Sequence, residues 1–113
     1  MLVKRFADAK PYEAPNHRGV VGLRLQGFEE GGPANQWVGL SQYLPGGGAG
    51  PDATPTEKVY LCLDGEVTII AGGKEAVLKP NDSVYLAPNE QREIANRGHT
   101  VATIVAILNV IPK

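Results

Sequence analysis

Short apolar segments alternate with glycine- and proline-rich turns along most of the chain. The segments are rich in Val, Ile, Leu and Tyr and are four to nine residues long, which is typical of β-strands. No window has a helical period, and Phe6–Tyr12 allows at most one helical turn before Pro15. The predicted strands are Val20–Leu25, Trp37–Leu44, Lys58–Leu63, Glu66–Ala71, Glu75–Leu78, Ser83–Leu86, Arg92–Asn96 and Val101–Asn109.

The turns between these strands indicate hairpins. Asp64-Gly65 and Gly72-Gly73 each separate two apolar segments and supply the positive φ angles that tight hairpin turns need. Eight short strands with almost no helix predict an all-β sandwich or barrel. The stretch Gly46–Gly50 is either a flexible loop or a loop that lets the backbone approach a ligand closely. Neither a phosphate-binding lysine nor a helix follows it, so a flexible loop is predicted.

Composition favours one globular domain over residues 1–113, with an N-terminal arm at 1–19 and the barrel at 37–109. A formal charge of -1 without a basic run argues against a nucleic-acid partner. The apolar stretch Val101–Ile111 is too short to span a bilayer, and Met1–Lys10 lacks the apolar core of a signal peptide. We therefore expect no membrane partner and a cytoplasmic location. Cys62 is the only cysteine, so no internal disulfide is possible.

From Gly46 onward the chain resembles the first sequence motif of the cupin superfamily. In that motif a glycine is followed, after five residues, by a His-any-His triplet. A glutamate comes three or four residues later, and a second glycine six residues after that. The corresponding residues here are Gly46, Asp52, Thr54, Lys58 and Gly65. The spacing and both glycines match, whereas the three ligand positions differ.

The second cupin motif contains Gly, Pro, Gly, His and Asn at fixed spacing. The corresponding residues here are Asn81, Ala87, Asn89, Arg92 and Asn96. Asn96 matches directly, and Asn81 and Asn89 replace glycines with the residue that next best tolerates positive φ. The resemblance spans Trp37–Asn109 and implies a single-domain cupin, an RmlC-like jelly-roll barrel also described as a double-stranded β-helix.

The resemblance also implies a site at which three histidines and a glutamate hold a transition metal. Asp52, Thr54, Lys58 and Arg92 occupy those positions in this chain. Lys58 and Arg92 would each repel a cation by roughly 4 kcal/mol at about 4 Å and an effective dielectric constant near 20. We therefore expect no metal and no cofactor. The alternative is a metalloenzyme with a shifted site that uses His17 and Asp52.

Strand alternation predicts which side chains reach the interior. If Lys58 points inward, as the glutamate it replaces would, then Tyr60 and Cys62 point inward too. On the later strand, Arg92 and Ile94 point inward together by the same rule. Gln42 is a polar residue in an otherwise apolar strand and is a further candidate to face a ligand. The predicted ligand-binding residues are Lys58, Arg92, Asp52, Tyr60 and Gln42.

Two cations in an apolar cavity favour a small carboxylate ligand. The chemistry would be that of a metal-independent isomerase, lyase or decarboxylase, with Lys58, Tyr60 and His17 as catalytic candidates. A neutral Lys58 amine could form a Schiff base with a keto acid. His17 could act as an acid or base if the arm folds over the barrel mouth; otherwise it is a loop histidine.

The alternative is a non-catalytic cupin with a degenerate site that serves dimerisation or regulation. In that case a salt bridge between Lys58 and Asp52 would plug the barrel. Trp37 and Tyr43 are predicted to pack in the core or at a dimer interface. Both hypotheses include a homodimer, because the apolar residues that point outward on a central strand need cover. Those residues are Val59, Leu61 and Leu63.

Overall fold

Nine antiparallel strands and two short 3-10 turns make up the fold in a computed structural model that describes residues 1–110. The end of the predicted domain, including the last residue of the stretch Val101–Ile111, lies outside the described residues. The 3-10 turns are Phe6–Asp8 and Phe28–Glu30. The strands are β1 (Lys10–Tyr12), β2 (His17–Gln26), β3 (Gln36–Asp52), β4 (Lys58–Asp64), β5 (Val67–Ala71), β6 (Lys74–Leu78), β7 (Ser83–Leu86), β8 (Arg92–Ala95) and β9 (Ala102–Asn109).

The long strand β3 joins the two walls of a nearly closed barrel. Its first half pairs with β9, which continues to β4 and β7. Its second half pairs with β8, which continues to β5 and β6. Because the same strand belongs to both walls, side chains from β3, β4 and β9 face those from β8 across the interior. The prediction of an all-β jelly-roll barrel is confirmed.

The prediction of a flexible loop at the glycine-rich stretch is wrong. Gly46–Gly50 is part of β3. The backbone turns at Gly46, where φ is 82°. A Cβ atom on Gly47 would lie 2.4 Å from the carbonyl oxygen of Gly19, and one on Gly48 would lie 2.5 Å from that of Ile94. These glycines therefore allow β3 to pass between two neighbouring strands at close range.

The first long strand, β2, begins at His17, three residues before the predicted start at Val20. Three residues of the arm, Lys10–Tyr12, form β1 and pair with Gly22–Arg24. This pairing fixes the path of the chain from Tyr12 to His17 beside the open end of the barrel. The arm therefore brings its own side chains to the interior cavity.

Asn96 stabilises the bend of β3 from inside the protein. Its buried side chain donates to the carbonyl oxygens of Tyr43 (2.8 Å) and Thr100 (2.9 Å) and accepts from the backbone N–H of Gly98 (3.0 Å). These bonds satisfy an amide that would otherwise be costly to bury. The one residue that matches the second motif directly thus has a structural role.

Asn81 and Asn89 adopt the positive φ angles predicted for them, 75° and 63°. Residues 1–110 contain no helix that is both long enough and apolar enough to cross a membrane.

Candidate functional site

A cavity of about 260 Å³ lies inside the barrel beside the N-terminal arm. It receives side chains from both walls and from the arm. Its lining residues are Tyr12, Ala14, Pro15, His17, Trp37, Ser41, Tyr43, Asp52, Thr54, Lys58, Tyr60, Arg92, Ala106 and Leu108.

Five of the six residues predicted for the site line this cavity: Lys58, Tyr60, Arg92, Asp52 and His17. Their convergence follows from strand alternation. In β4 the side chains of Lys58, Tyr60 and Cys62 are buried and those between them are partly exposed. In β8, Arg92 and Ile94 are buried. The predicted inward positions are therefore those that the structure has.

Gln42 does not line the cavity. Its neighbours Ser41 and Tyr43 do, and successive side chains of a strand point to opposite faces. Gln42 therefore lies on the outer face of β3, between Val21 of β2 and Thr103 of β9.

Arg92 crosses the interior from β8 towards β4. Its Nε donates a hydrogen bond to the hydroxyl of Tyr60 at 2.9 Å. Its Nη1 is buried and has no acceptor among residues 1–110, although the side chain is only 6% exposed. A Cβ on Gly50 would lie 2.9 Å from this Nη1, so the glycine leaves room for the guanidinium.

Lys58 and Asp52 do not form the predicted salt bridge, since the ion pairs within residues 1–110 do not include either residue. Lys58 Nζ instead donates to the Thr54 hydroxyl at 2.7 Å. Asp52 Oδ1 accepts the backbone N–H of Ala53 at 2.8 Å. Burial, together with the charge of Arg92, lowers the pKa of Lys58, and Asp52 partly opposes this shift. An amine held in this way is a better nucleophile at neutral pH than a solvated lysine.

His17 lies at the mouth of the cavity, beside Pro15. Its Nδ1 lies 2.8 Å from the carbonyl oxygen of Pro15. Because a carbonyl can only accept, Nδ1 carries a proton, and in the neutral imidazole the lone pair is therefore on Nε2. Burial lowers the pKa of His17, and nearby Arg92 adds to this effect, whereas the contact with Pro15 raises it. His17 can therefore act as a base at neutral pH.

Tyr12 and Trp37 are cavity residues that sequence reasoning did not assign to the site. Their rings meet edge to face with centroids 5.5 Å apart. Trp37 is 5% exposed, and its indole Nε1 is buried with no acceptor among the described residues. Strand alternation places Trp37 on the same face as Ser41 and Tyr43. This period of two is the sequence signal from which the position of Trp37 in the cavity could have been predicted. Nothing in the sequence predicts that the arm places Tyr12 there.

The residues at the four metal-ligand positions do not fit a metal ion. The Thr54 hydroxyl already accepts a hydrogen bond from Lys58, and the Lys58 ammonium and the Arg92 guanidinium have no lone pair to donate. Within residues 1–110, no three His, Cys, Asp or Glu side chains lie close enough together to hold a metal. The shifted metal site built on His17 and Asp52 therefore lacks a third ligand in this part of the chain.

A second cavity of about 260 Å³, called the outer cavity below, adjoins the first beside the arm. The two share Tyr12, Ala14, His17 and Ser41 as lining residues, and Glu13 lines only the outer one. His17 thus lies between an inner space with two cations and an outer space with a carboxylate.

Comparison with known proteins identifies the family. Residues 39–108 match the family described as Cupin domain, so the chain belongs to the cupin family. Among individual proteins, it is 48% identical over 97 residues to a protein of Mycobacterium tuberculosis named Beta-D-galactosidase Rv1717. That match covers 86% of this chain and 84% of the relative.

Solved cupin structures share the fold at low sequence identity. A predicted oxalate decarboxylase from Thermotoga maritima has a TM-score of 0.81 at 23% identity, covering 98% of this chain and all of the other. An RmlC-like cupin from Shewanella frigidimarina has a TM-score of 0.80 at 14% identity, covering 98% of this chain and 92% of that one. At these identities the likeness concerns the fold alone.

Proposed function

We propose that the inner cavity binds a small carboxylate through Arg92, with Lys58 as a second cation. The observation that carries the proposal is the buried Nη1 of Arg92, which has no acceptor among residues 1–110. An unpaired donor of this kind costs about 1–3 kcal/mol, and more when it is charged. A ligand oxyanion at Nη1 would remove this cost, and a guanidinium matches the geometry of a carboxylate.

The charges that line the cavity support an anionic ligand. Lys58 and Arg92 carry two formal positive charges and Asp52 one negative charge, which leaves a surplus of one positive charge. His17 adds none while it is neutral. Tyr43, Ala106 and Leu108 supply apolar wall, and a few polar groups against such a wall are typical of ligand pockets.

Two side chains could act on a bound acid without a metal. Lys58, with its lowered pKa, could add to a keto group, and His17 could remove a proton through Nε2. Either step is compatible with an isomerase, lyase or decarboxylase. In the non-catalytic alternative, the same ligand would bind without reacting.

Glycoside hydrolysis is a second candidate function, favoured by the relative that is 48% identical and is named a β-D-galactosidase. Most glycosidases use a pair of carboxyl groups on either side of the scissile bond. Here Asp52 lines the inner cavity and Glu13 the adjoining outer one. A chromogenic β-D-galactoside tests this candidate. Hydrolysis that is lost in both Asp52→Asn and Glu13→Gln supports it, and the absence of turnover in the parent contradicts it.

A thermal-shift screen with small keto and hydroxy acids tests carboxylate binding. The parent protein is expected to be stabilised, and Arg92→Gln should lower the affinity roughly tenfold to a hundredfold. Arg97→Gln is the matched control, because Arg97 is exposed and pairs with Glu75 outside the cavity. The proposal fails if no acid stabilises the parent, or if both variants respond equally.

A further inference from the structure

We infer that the ligand is a sugar acid, a hydroxylated ring with a carboxylate such as a hexuronic acid or its glycoside. This inference rests on the proposed function and names its substrate class. It starts from a second buried donor without an acceptor among residues 1–110, Nε1 of Trp37, a residue that lines the same cavity as Arg92. A carboxylate on Arg92 accounts for one of these donors and leaves the other unexplained.

The donors of the cavity come from different strands. Leu108 of β9 pairs with Trp37 on one side and Lys58 on the other, so two strand spacings separate these two backbones, roughly 10 Å. Arg92 approaches from β8 in the opposite wall. A ligand that engages all three side chains therefore needs acceptor atoms at several positions around its body.

The remaining polar groups suit hydroxyls. Ser41 and Thr54 can donate to or accept from a hydroxyl, and Asp52 can accept from one. The aromatic rings of Tyr12 and Tyr43 offer apolar surface to the C–H groups of a ring. A simple keto acid has too few oxygens for this set, and a neutral hexose has no charge to place on Arg92.

The inference also agrees with the similarity to a β-D-galactosidase. Galacturonic acid keeps the ring and ring hydroxyls of galactose and carries a carboxylate at carbon 6. The predicted preference is therefore for the acidic sugar over the neutral one.

The single tryptophan makes a direct test possible, because the indole N–H of Trp37 gives one isolated signal in a nitrogen–proton correlation spectrum. The full-length protein is titrated separately with D-galacturonate, D-galactose and acetate. Galacturonate is expected to shift this signal with at least roughly tenfold higher affinity than galactose. Arg92→Gln should remove the preference, whereas Arg97→Gln should keep it.

Calorimetry on Trp37→Phe gives a readout that does not depend on Arg92. This variant is expected to lose roughly tenfold in affinity for galacturonate and none for acetate. If acetate binds and galacturonate does not, the sugar-acid inference is overturned while anion binding survives. If galactose binds as well as galacturonate, the carboxylate contributes nothing, and both the inference and the proposed role of Arg92 fail. If no carboxylate binds at all, the proposed function fails and the inference fails with it.

Discussion

The hydroxyl of Tyr60 accepts a hydrogen bond from Nε of Arg92 at 2.9 Å, across the barrel from β4 to β8. It is the one hydrogen bond that a side chain of residues 1–110 makes to this guanidinium. The contact leaves Nη1 without an acceptor among the described residues. The orientation of the cation that defines the site thus depends on a neutral hydroxyl.

Tyr60→Phe is expected to destabilise the protein and weaken carboxylate binding together. The variant leaves Nε of Arg92 buried without a partner, which costs about 1–3 kcal/mol of unfolding free energy. Urea denaturation measures the loss, and Tyr85→Phe on the exposed outer face serves as control. Equal stability of Tyr60→Phe and the parent would show that the bond does not orient Arg92.

Lys58→Met is expected to leave the stability of the protein unchanged or to raise it, while reducing anion binding. A buried ammonium is replaced by an apolar side chain of similar length, and such exchanges are often neutral or stabilising. Thermal denaturation measures this effect. A fall in melting temperature would mean that the bond from Lys58 to Thr54 stabilises the fold more than burial of the charge destabilises it.

The lowered pKa of Lys58 also predicts a pH dependence. Between the lowered value and the ordinary value of 10.5, the unfolded chain binds more protons than the folded protein. Stability from this group therefore rises as the pH increases through that window. The rise should be absent in Lys58→Met, and an identical pH profile in both proteins would contradict the assignment.

The lowered pKa of His17 predicts a similar pH dependence of stability near neutral pH. Its pKa is lowered in the folded state, so the unfolded chain binds more protons below the ordinary value of 6.5. The resulting stability is present above pH 6.5 and is lost as the pH falls towards the lowered pKa. Proton NMR can follow both histidines. A carboxylate in the cavity should raise the pKa of His17, and an unchanged pKa on addition of the acid would contradict binding beside this residue.

The outer face of the β3–β9–β4–β7 wall is expected to pair with a second copy of the chain. Val59 lies beside Tyr85 of β7 and Ile107 of β9, which are 57% and 38% exposed. Contiguous apolar surface of this kind commonly marks an interface. Light scattering should find a dimer at micromolar concentration and a monomer for Ile107→Lys. Val77→Lys on β6 is the control, and a monomeric parent protein would contradict the prediction.

Most strands of the barrel, and the inward orientation of the main site residues, could be predicted from the sequence because strand alternation is a local property. The inward position of Tyr60 follows from a period of two once Lys58 is placed by the spacing of the first motif, and Arg92 is placed by the spacing of the second motif. The same rule excludes Gln42, which has the opposite parity to Trp37. That error came from weighing polarity above position.

The remaining features depend on contacts between distant parts of the chain. Glycine usually interrupts strands, so the stretch Gly46–Gly50 was predicted to be a loop. Its strand conformation depends on the close approach of β2 and β8, which no local signal records. The position of Tyr12 depends in the same way on the pairing of β1 with β2.

The cavity of this cupin is proposed to bind an anion through its own cations rather than through a metal. Titration calorimetry of the chain with D-galacturonate, after dialysis against a strong chelator and again after addition of Mn²⁺, Ni²⁺ or Zn²⁺, tests it most directly. We predict the same affinity, within about twofold, in every condition, because Arg92 and Lys58 supply the charge. Binding that disappears with the chelator and returns with one stoichiometric metal would contradict the claim.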